Sequence, residues 1–162
     1  MKYDGTRRSP WNEIECGDHY TRAMAAFLYF EIASGMTWDI LAIGNPAIKL
    51  NFAPIDNREN FKSFFIVGSG WGTYTQTISG GSANVQLCVI YGDVEIAALG
   101  LAMDFPTHAK AVLEGEIRTT LTKEKNKIVL RFPDAPVQSF PSGSEHVQTV
   151  KSGETLQITL SK

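Results

Sequence analysis

Val85-Gln-Leu-Cys-Val-Ile-Tyr91, then Gly92-Asp93, then Val94-Glu-Ile-Ala-Ala-Leu-Gly-Leu-Ala-Met103 is the stretch on which the fold turns. The two apolar runs are of β type, and a glycine-first dipeptide between them matches the two-residue turn of an antiparallel hairpin. The same alternation of runs and turns extends in both directions. Residues 65–67 and 73–78 precede it; 112–121, 128–132, 147–150 and 156–160 follow. Ser79-Gly-Gly-Ser82, Lys123-Glu-Lys-Asn126 and Ser152-Gly-Glu154 supply further hairpin chemistry. In Glu116-Ile-Arg-Thr-Thr-Leu-Thr and Thr155-Leu-Gln-Ile-Thr-Leu-Ser apolar and polar residues alternate, so those strands are covered on one face only. About eight strands in succession predict an antiparallel β-sandwich-like body.

The N-terminal end reads differently. Asp18 is a capping residue ahead of a helix that carries Tyr20, Ala23, Met24, Phe27, Leu28 and Ile32 and closes at Gly35. It is apolar on nearly all sides, and such helices are buried between neighbours. The chain offers few neighbours; Asp56 and Asn57, followed by Asn60, Phe61 and Lys62, predict one more helical turn at most. The expected class is therefore mainly β with one long N-terminal α-helix. The layout is a helical piece over 1–35, an irregular connector over 36–63 and a β-rich body over 64–162.

With 162 residues, 43% of them hydrophobic, the chain can bury a core. Fifteen basic and 17 acidic residues give a net charge of -2 without a long run of either sign, which argues against nucleic acid as a partner. The longest uncharged apolar run, 23–30, is far short of the roughly 20 residues that span a bilayer, so no transmembrane segment is expected. No apolar secretory stretch follows Arg7-Arg8. Cys16 and Cys88, the two cysteines, form no CxxC pair; both are read as reduced thiols, Cys88 as a small core residue, and the compartment as cytoplasmic.

Chemistry concentrates in Ser9-Pro-Trp-Asn-Glu-Ile-Glu-Cys-Gly-Asp-His-Tyr-Thr-Arg22, which leads straight into the helix. Three readings of it stand side by side. Glu15, Cys16, Asp18 and His19 are potential metal ligands, but adjacent residues rarely converge on one ion, and His108 and His146 lie in turn-like segments; neither metal nor cofactor is expected. In a purely structural reading, Asp18 caps the helix, His19 and Tyr20 pack in its first turn, and Glu13 or Glu15 pairs with Arg22. In the third, Glu13 or Glu15 and Arg22 hold sugar hydroxyls while Trp11 gives an apolar wall, so the ligand is a carbohydrate.

The string Arg8-Ser-Pro-Trp-Asn-Glu-Ile-Glu-Cys-Gly-Asp-His-Tyr-Thr-Arg-Ala-Met-Ala25 resembles a segment near the C-terminal end of the catalytic region in glycoside hydrolase family 116, which includes non-lysosomal glucosylceramidases and bacterial β-glucosidases. A second block is similar to the closing segments of such proteins: Leu50-Asn-Phe-Ala-Pro, 61–65, and Gly70-Trp-Gly-Thr-Tyr-Thr-Gln76. The resemblance covers residues 1–103, and the remaining β segment more vaguely. It implies that Glu13 and Arg22 lie in a glucose subsite, with Glu15 and His19 as second choices, and that the ligand is a glucoside. It also implies that the segment over 1–35 is the last helix of an α/α toroid.

The same enzymes retain anomeric configuration with two carboxyl groups set roughly 5–5.5 Å apart on earlier parts of that toroid. Here the acidic group of Glu13, Glu15 and Asp18 lies on one segment, with nothing opposite it across a cleft, so no catalytic residue is assigned. The expectation is a C-terminal fragment or subunit of a β-glucosidase-like hydrolase, inactive alone, that needs an upstream catalytic polypeptide or a homo-oligomeric partner. The alternative is a non-catalytic carbohydrate-associated or interaction module. Trp71 between Gly70 and Gly72 is read as packed rather than as a stacking platform. Trp38 and Phe52 are read as sealing the joint between helix and sheet, and 123–127 as a solvated hairpin tip.

Overall fold

The computed structural model describes residues 24–40, 47–132 and 148–162. One helix, α1 (Met24–Ser34), precedes twelve strands: β1 (Thr37–Ile40), β2 (Ile48–Phe52), β3 (Asn60–Val67), β4 (Gly70–Ser79), β5 (Ser82–Gly92), β6 (Val94–Leu101), β7 (His108–Val112), β8 (Glu116–Ile117), β9 (Thr120–Glu124), β10 (Lys127–Arg131), β11 (Gln148–Val150) and β12 (Thr155–Ser161). They form two six-stranded sheets. Sheet A runs β1-β2-β6-β10-β9, with β11 also paired to β6; sheet B runs β3-β4-β5-β12-β7-β8. All neighbours are antiparallel except β2 and β6, which are parallel.

One core lies between the sheets. Leu50, Ile96, Leu99 and Leu130 from sheet A meet Phe65, Leu87, Ile158 and Leu160 from sheet B, all within 1% of complete burial. Phe52 of sheet A stacks on Tyr74 of sheet B with ring centroids 3.8 Å apart and planes 7° from parallel. An aromatic pair in such contact contributes about 0.5–1.5 kcal/mol beyond the area it buries. The β-sandwich read from the runs and turns is thus the observed architecture.

The local turn chemistry is only half right about connections. Gly80 and Gly81, at φ +59° and +78°, close the β4–β5 hairpin with Ser79 opposite Ser82, and Lys125 at φ +49° lies in the turn that pairs Glu124 with Lys127. Gly92-Asp93 does not form a hairpin. It carries the chain from β5 in sheet B to β6 in sheet A, and Ser152-Gly153-Glu154 likewise carries it from β11 back to β12. Gly92 sits at φ +77°, and a Cβ there would lie 2.1 Å from the Ser69 carbonyl oxygen, so the crossing needs a glycine.

Three further expectations change. The stretch read as an irregular connector supplies β1, β2 and part of β3, with β2 beside the central β6. Residues 56–61 make a turn instead of a helical one: the Asn57 backbone N–H donates to Asp56 Oδ1, Asn57 at φ +48° donates its amide to the Asn60 carbonyl, and β3 begins at once. The run 112–121 is broken into β7, β8 and β9 by Glu114 at φ +52° and Gly115.

The helix is eleven residues long over the described chain, and its cap Asp18 lies outside the described residues. It ends as the sequence predicts. Gly35 takes φ +55°, its N–H donates to the Ile32 carbonyl, and the Met36 N–H donates to the Glu31 carbonyl, the paired bonds of a Schellman cap. The helix end is pinned to the chain after β2, because the Ala53 and Ile55 N–H groups donate to the Ser34 and Ala33 carbonyls.

Candidate functional site

Trp11, Glu13, Glu15, His19 and Arg22 all lie outside the described residues, as do Cys16 and Asp18. The described chain begins where that segment enters α1. Site geometry is therefore built from α1 and from the outer faces of the two sheets.

Among the described residues an aromatic contact seats the helix on sheet B. Phe30 meets Phe64 of β3 with centroids 4.7 Å apart, and a shallow groove lined by Phe30, Glu31, Met36 and Ile66 runs between them. Among the residues of α1 whose side chains are described, Ser34 is buried and the large apolar ones lie open. Leu28 is 55% exposed, Tyr29 69%, Phe30 43% and Ile32 54%. The burial expected of a helix this apolar is not provided by the described residues.

The outer face of sheet B follows from the period-2 alternation of its strands. Along β4, Gly70, Gly72, Tyr74 and Gln76 point into the core, which turns Trp71, Thr73, Thr75 and Thr77 outward. Along β5 the outward residues are Asn84, Gln86 and Cys88; along β12 they are Thr155, Gln157 and Thr159. Not one residue of β4, β5 or β12 is charged. Cys88 is therefore a half-buried residue of the outer face and not a core residue.

At one end of this face the register places Ile66, Trp71 and Tyr91 opposite one another across β3, β4 and β5. A bulge between Trp71 and Gly72 adds Ile90 beside Tyr91. Trp71 is 42% exposed and Tyr91 68%, so Trp71 is presented to solvent rather than packed. The flanking glycines answer to the backbone: a Cβ at Gly72 would lie 1.9 Å from the Cys88 carbonyl oxygen, and one at Gly70 would lie 2.5 Å from that of Tyr91. The signal for this exposure was in the sequence. If Gly70, Gly72 and Tyr74 share the inner face, Trp71 has to take the outer one. Trp38, on edge strand β1, is also exposed, while Phe52 is buried in the core, so only one of the two residues expected at the helix–sheet joint is enclosed.

The charge on sheet B lies on its flanking strands, where Lys62 stands opposite Thr75 and Lys110 stands opposite Thr159 and 2.9 Å from Glu116; sheet A gathers a cluster of its own. Glu124 stands 3.7 Å from Lys49, 3.7 Å from Lys127 and 3.8 Å from Arg131. The polar groups enclosed among the described residues are few: Asn51 Oδ1 has no partner, while Tyr74 and Gln76 are tied together. The buried Tyr74 hydroxyl donates to Gln76 Oε1 at 2.5 Å, and Gln76 Nε2 donates to the Arg58 carbonyl at 2.8 Å. Burial pushes the Tyr74 phenol well above the ordinary tyrosine range. Among the described residues no His, Cys, Asp or Glu side chains group closely enough to hold a metal ion, and no helix is long and apolar enough to cross a membrane. No protein-family model, curated protein or solved structure matches the chain.

Proposed function

We propose that this chain is the non-catalytic C-terminal portion of a β-glucosidase- or glucosylceramidase-like hydrolase that works in the cytoplasm. In this reading Glu13 and Arg22, with Glu15, His19 and Trp11 around them, complete a glucose subsite whose two catalytic carboxylates stand on a separate helical region, and α1 is the last helix of that region. The observation that carries the reading is the bare apolar surface of α1. A helix that is apolar all round is stable only between neighbours, and here its C-terminal end is fixed to the sandwich while Leu28, Tyr29 and Ile32 lie open for helical cover. The resemblance of residues 8–25 supplies the kind of neighbour, an α/α toroid.

The enclosed two-sheet core supports a second reading, a free-standing carbohydrate-associated or interaction module. Size-exclusion chromatography with light scattering, with a fluorogenic β-glucoside assay on the same peak, separates the two. Expected for the chain alone are self-association and no turnover. On adding an α/α-toroid polypeptide that lacks this portion, the self-association should end and turnover appear, and Glu13→Ala or Arg22→Ala should abolish that turnover without changing the melting temperature. Turnover by the chain alone, or a cooperative monomer that ignores the toroid polypeptide, would overturn the proposal; the second outcome is what the module reading requires.

A further inference from the structure

We infer that the outer face of sheet B is a binding surface for a neutral glycan chain, an inference independent of the hydrolase reading. Three observations converge on it. The first is Trp71 with Tyr91, exposed side by side across β4 and β5 and held by a bulge that glycines alone allow. An indole face on a rigid sheet is an apolar platform on which the C–H face of a sugar ring can stack.

The second is what continues from that platform. Thr73, Thr75 and Thr77 run from Trp71 along β4, with Gln86 and Gln157 beside them on β5 and β12, over about 20 Å at the rise of an extended strand. Each offers a donor and an acceptor, as a polyhydroxylated chain requires. The third is the absence of charge on all three central strands, with Lys62 of β3 opposite Thr75 and Lys110 of β7 opposite Thr159 bordering the strip, the latter paired with Glu116 at 2.9 Å. Charge on this face is thus kept to the flanking strands, whereas on sheet A Glu124 gathers Lys49, Lys127 and Arg131 around itself.

Other occupants fit less well. A phosphate backbone needs a run of Lys or Arg, whereas this face offers Lys62 and Lys110 on opposite sides of the strip, the second paired with Glu116. The core of a protein interface is enriched in aromatic, Met and Arg side chains and depleted in Ser, whereas here the large apolar side chains gather at one end and the central strands beyond it present amides, hydroxyls and the Cys88 thiol. An uncharged, linear, hydroxyl-rich ligand matches both halves of the face.

The test is native affinity electrophoresis of the full chain in gels holding a soluble mixed-linkage β-glucan, a soluble α-glucan or, as charged control, polygalacturonate. The expected result is retardation by a neutral glucan, weakened tenfold or more by Trp71→Ala and partly restored by Trp71→Phe. The melting temperature should hold in both variants because the side chain is exposed. Glu13→Ala and Arg22→Ala should bind the glucan as the wild type does, which keeps this site apart from the glucose subsite. The inference is overturned if neither neutral glucan retards the wild type, if Trp71→Ala is retarded equally, or if polygalacturonate binds as strongly. It is overturned too if the toroid polypeptide protects Trp71 from oxidation by N-bromosuccinimide while no glucan does, since the face would then be a protein contact.

Discussion

Replacing Tyr74 by phenylalanine removes one oxygen from the interior and leaves the ring on Phe52 undisturbed. The Gln76 Oε1 that accepted from it at 2.5 Å then has no donor, while Gln76 Nε2 keeps its bond to the Arg58 carbonyl. An acceptor left buried and unpaired costs about 1–3 kcal/mol. In a chain of this length each kcal/mol lowers the melting temperature by about 2–4 °C. Adding Gln76→Met removes the orphaned acceptor, so the double variant should lose less than the sum of the two singles, with a coupling of about 0.5–3 kcal/mol. Urea unfolding followed by circular dichroism reads all three variants.

The same tyrosine predicts a pH dependence. In the unfolded chain its phenol titrates near pH 10, whereas burial holds the folded value far higher. Below pH 10 both states keep the proton and Tyr74 adds no slope. Above it only the unfolded state releases the proton, so the folded state binds more protons and stability falls by up to about 1.4 kcal/mol per pH unit. Tyr74→Phe should abolish this alkaline loss. A variant at least as stable as wild type at neutral pH, or one with the wild-type slope between pH 10 and 11, would refute the reasoning.

Gly92→Ala should cost more than the roughly 1–2 kcal/mol of a left-handed backbone alone, because its Cβ would strike the Ser69 carbonyl. Gly68→Ala, with nothing within 4 Å, is the matched control and should melt within a few degrees of wild type by calorimetry. Glu124→Gln should cost less than about 1 kcal/mol, since its partners stand at 3.7–3.8 Å on partly exposed side chains, and the difference in urea midpoint should vanish in 1 M salt.

What the sequence made legible is what short-range chemistry decides. Gly35 stops the helix, Gly80-Gly81 turns a hairpin, and the alternation in β12 sets its two faces, because each depends on residues within a few positions. Gly92-Asp93 and residues 152–154 were misread for the complementary reason. A glycine at positive φ serves a hairpin and a crossing between sheets equally well, and the choice falls to strands far away: β12 takes the edge of β5 that a β5–β6 hairpin would have filled. β2 was missed because it is short and its partner β6 lies more than forty residues on. Of the site, the uncharged composition of β4, β5 and β12 and the outward phase of Trp71 were both readable, but the glycines beside Trp71 drew the reading toward packing.

The position of β12 also governs how the chain can be made. β12 inserts between β5 and β7, both of which precede it in the chain by more than forty residues, pairing Thr155 with Cys88 and Ser161 with His108. Until β12 pairs, sheet B exists as two separate pieces, and β5 presents an open apolar edge of the kind that recruits other nascent chains. Folding of the sandwich therefore waits on β12, and a chain cut before Thr155 is left for chaperones and proteases to handle.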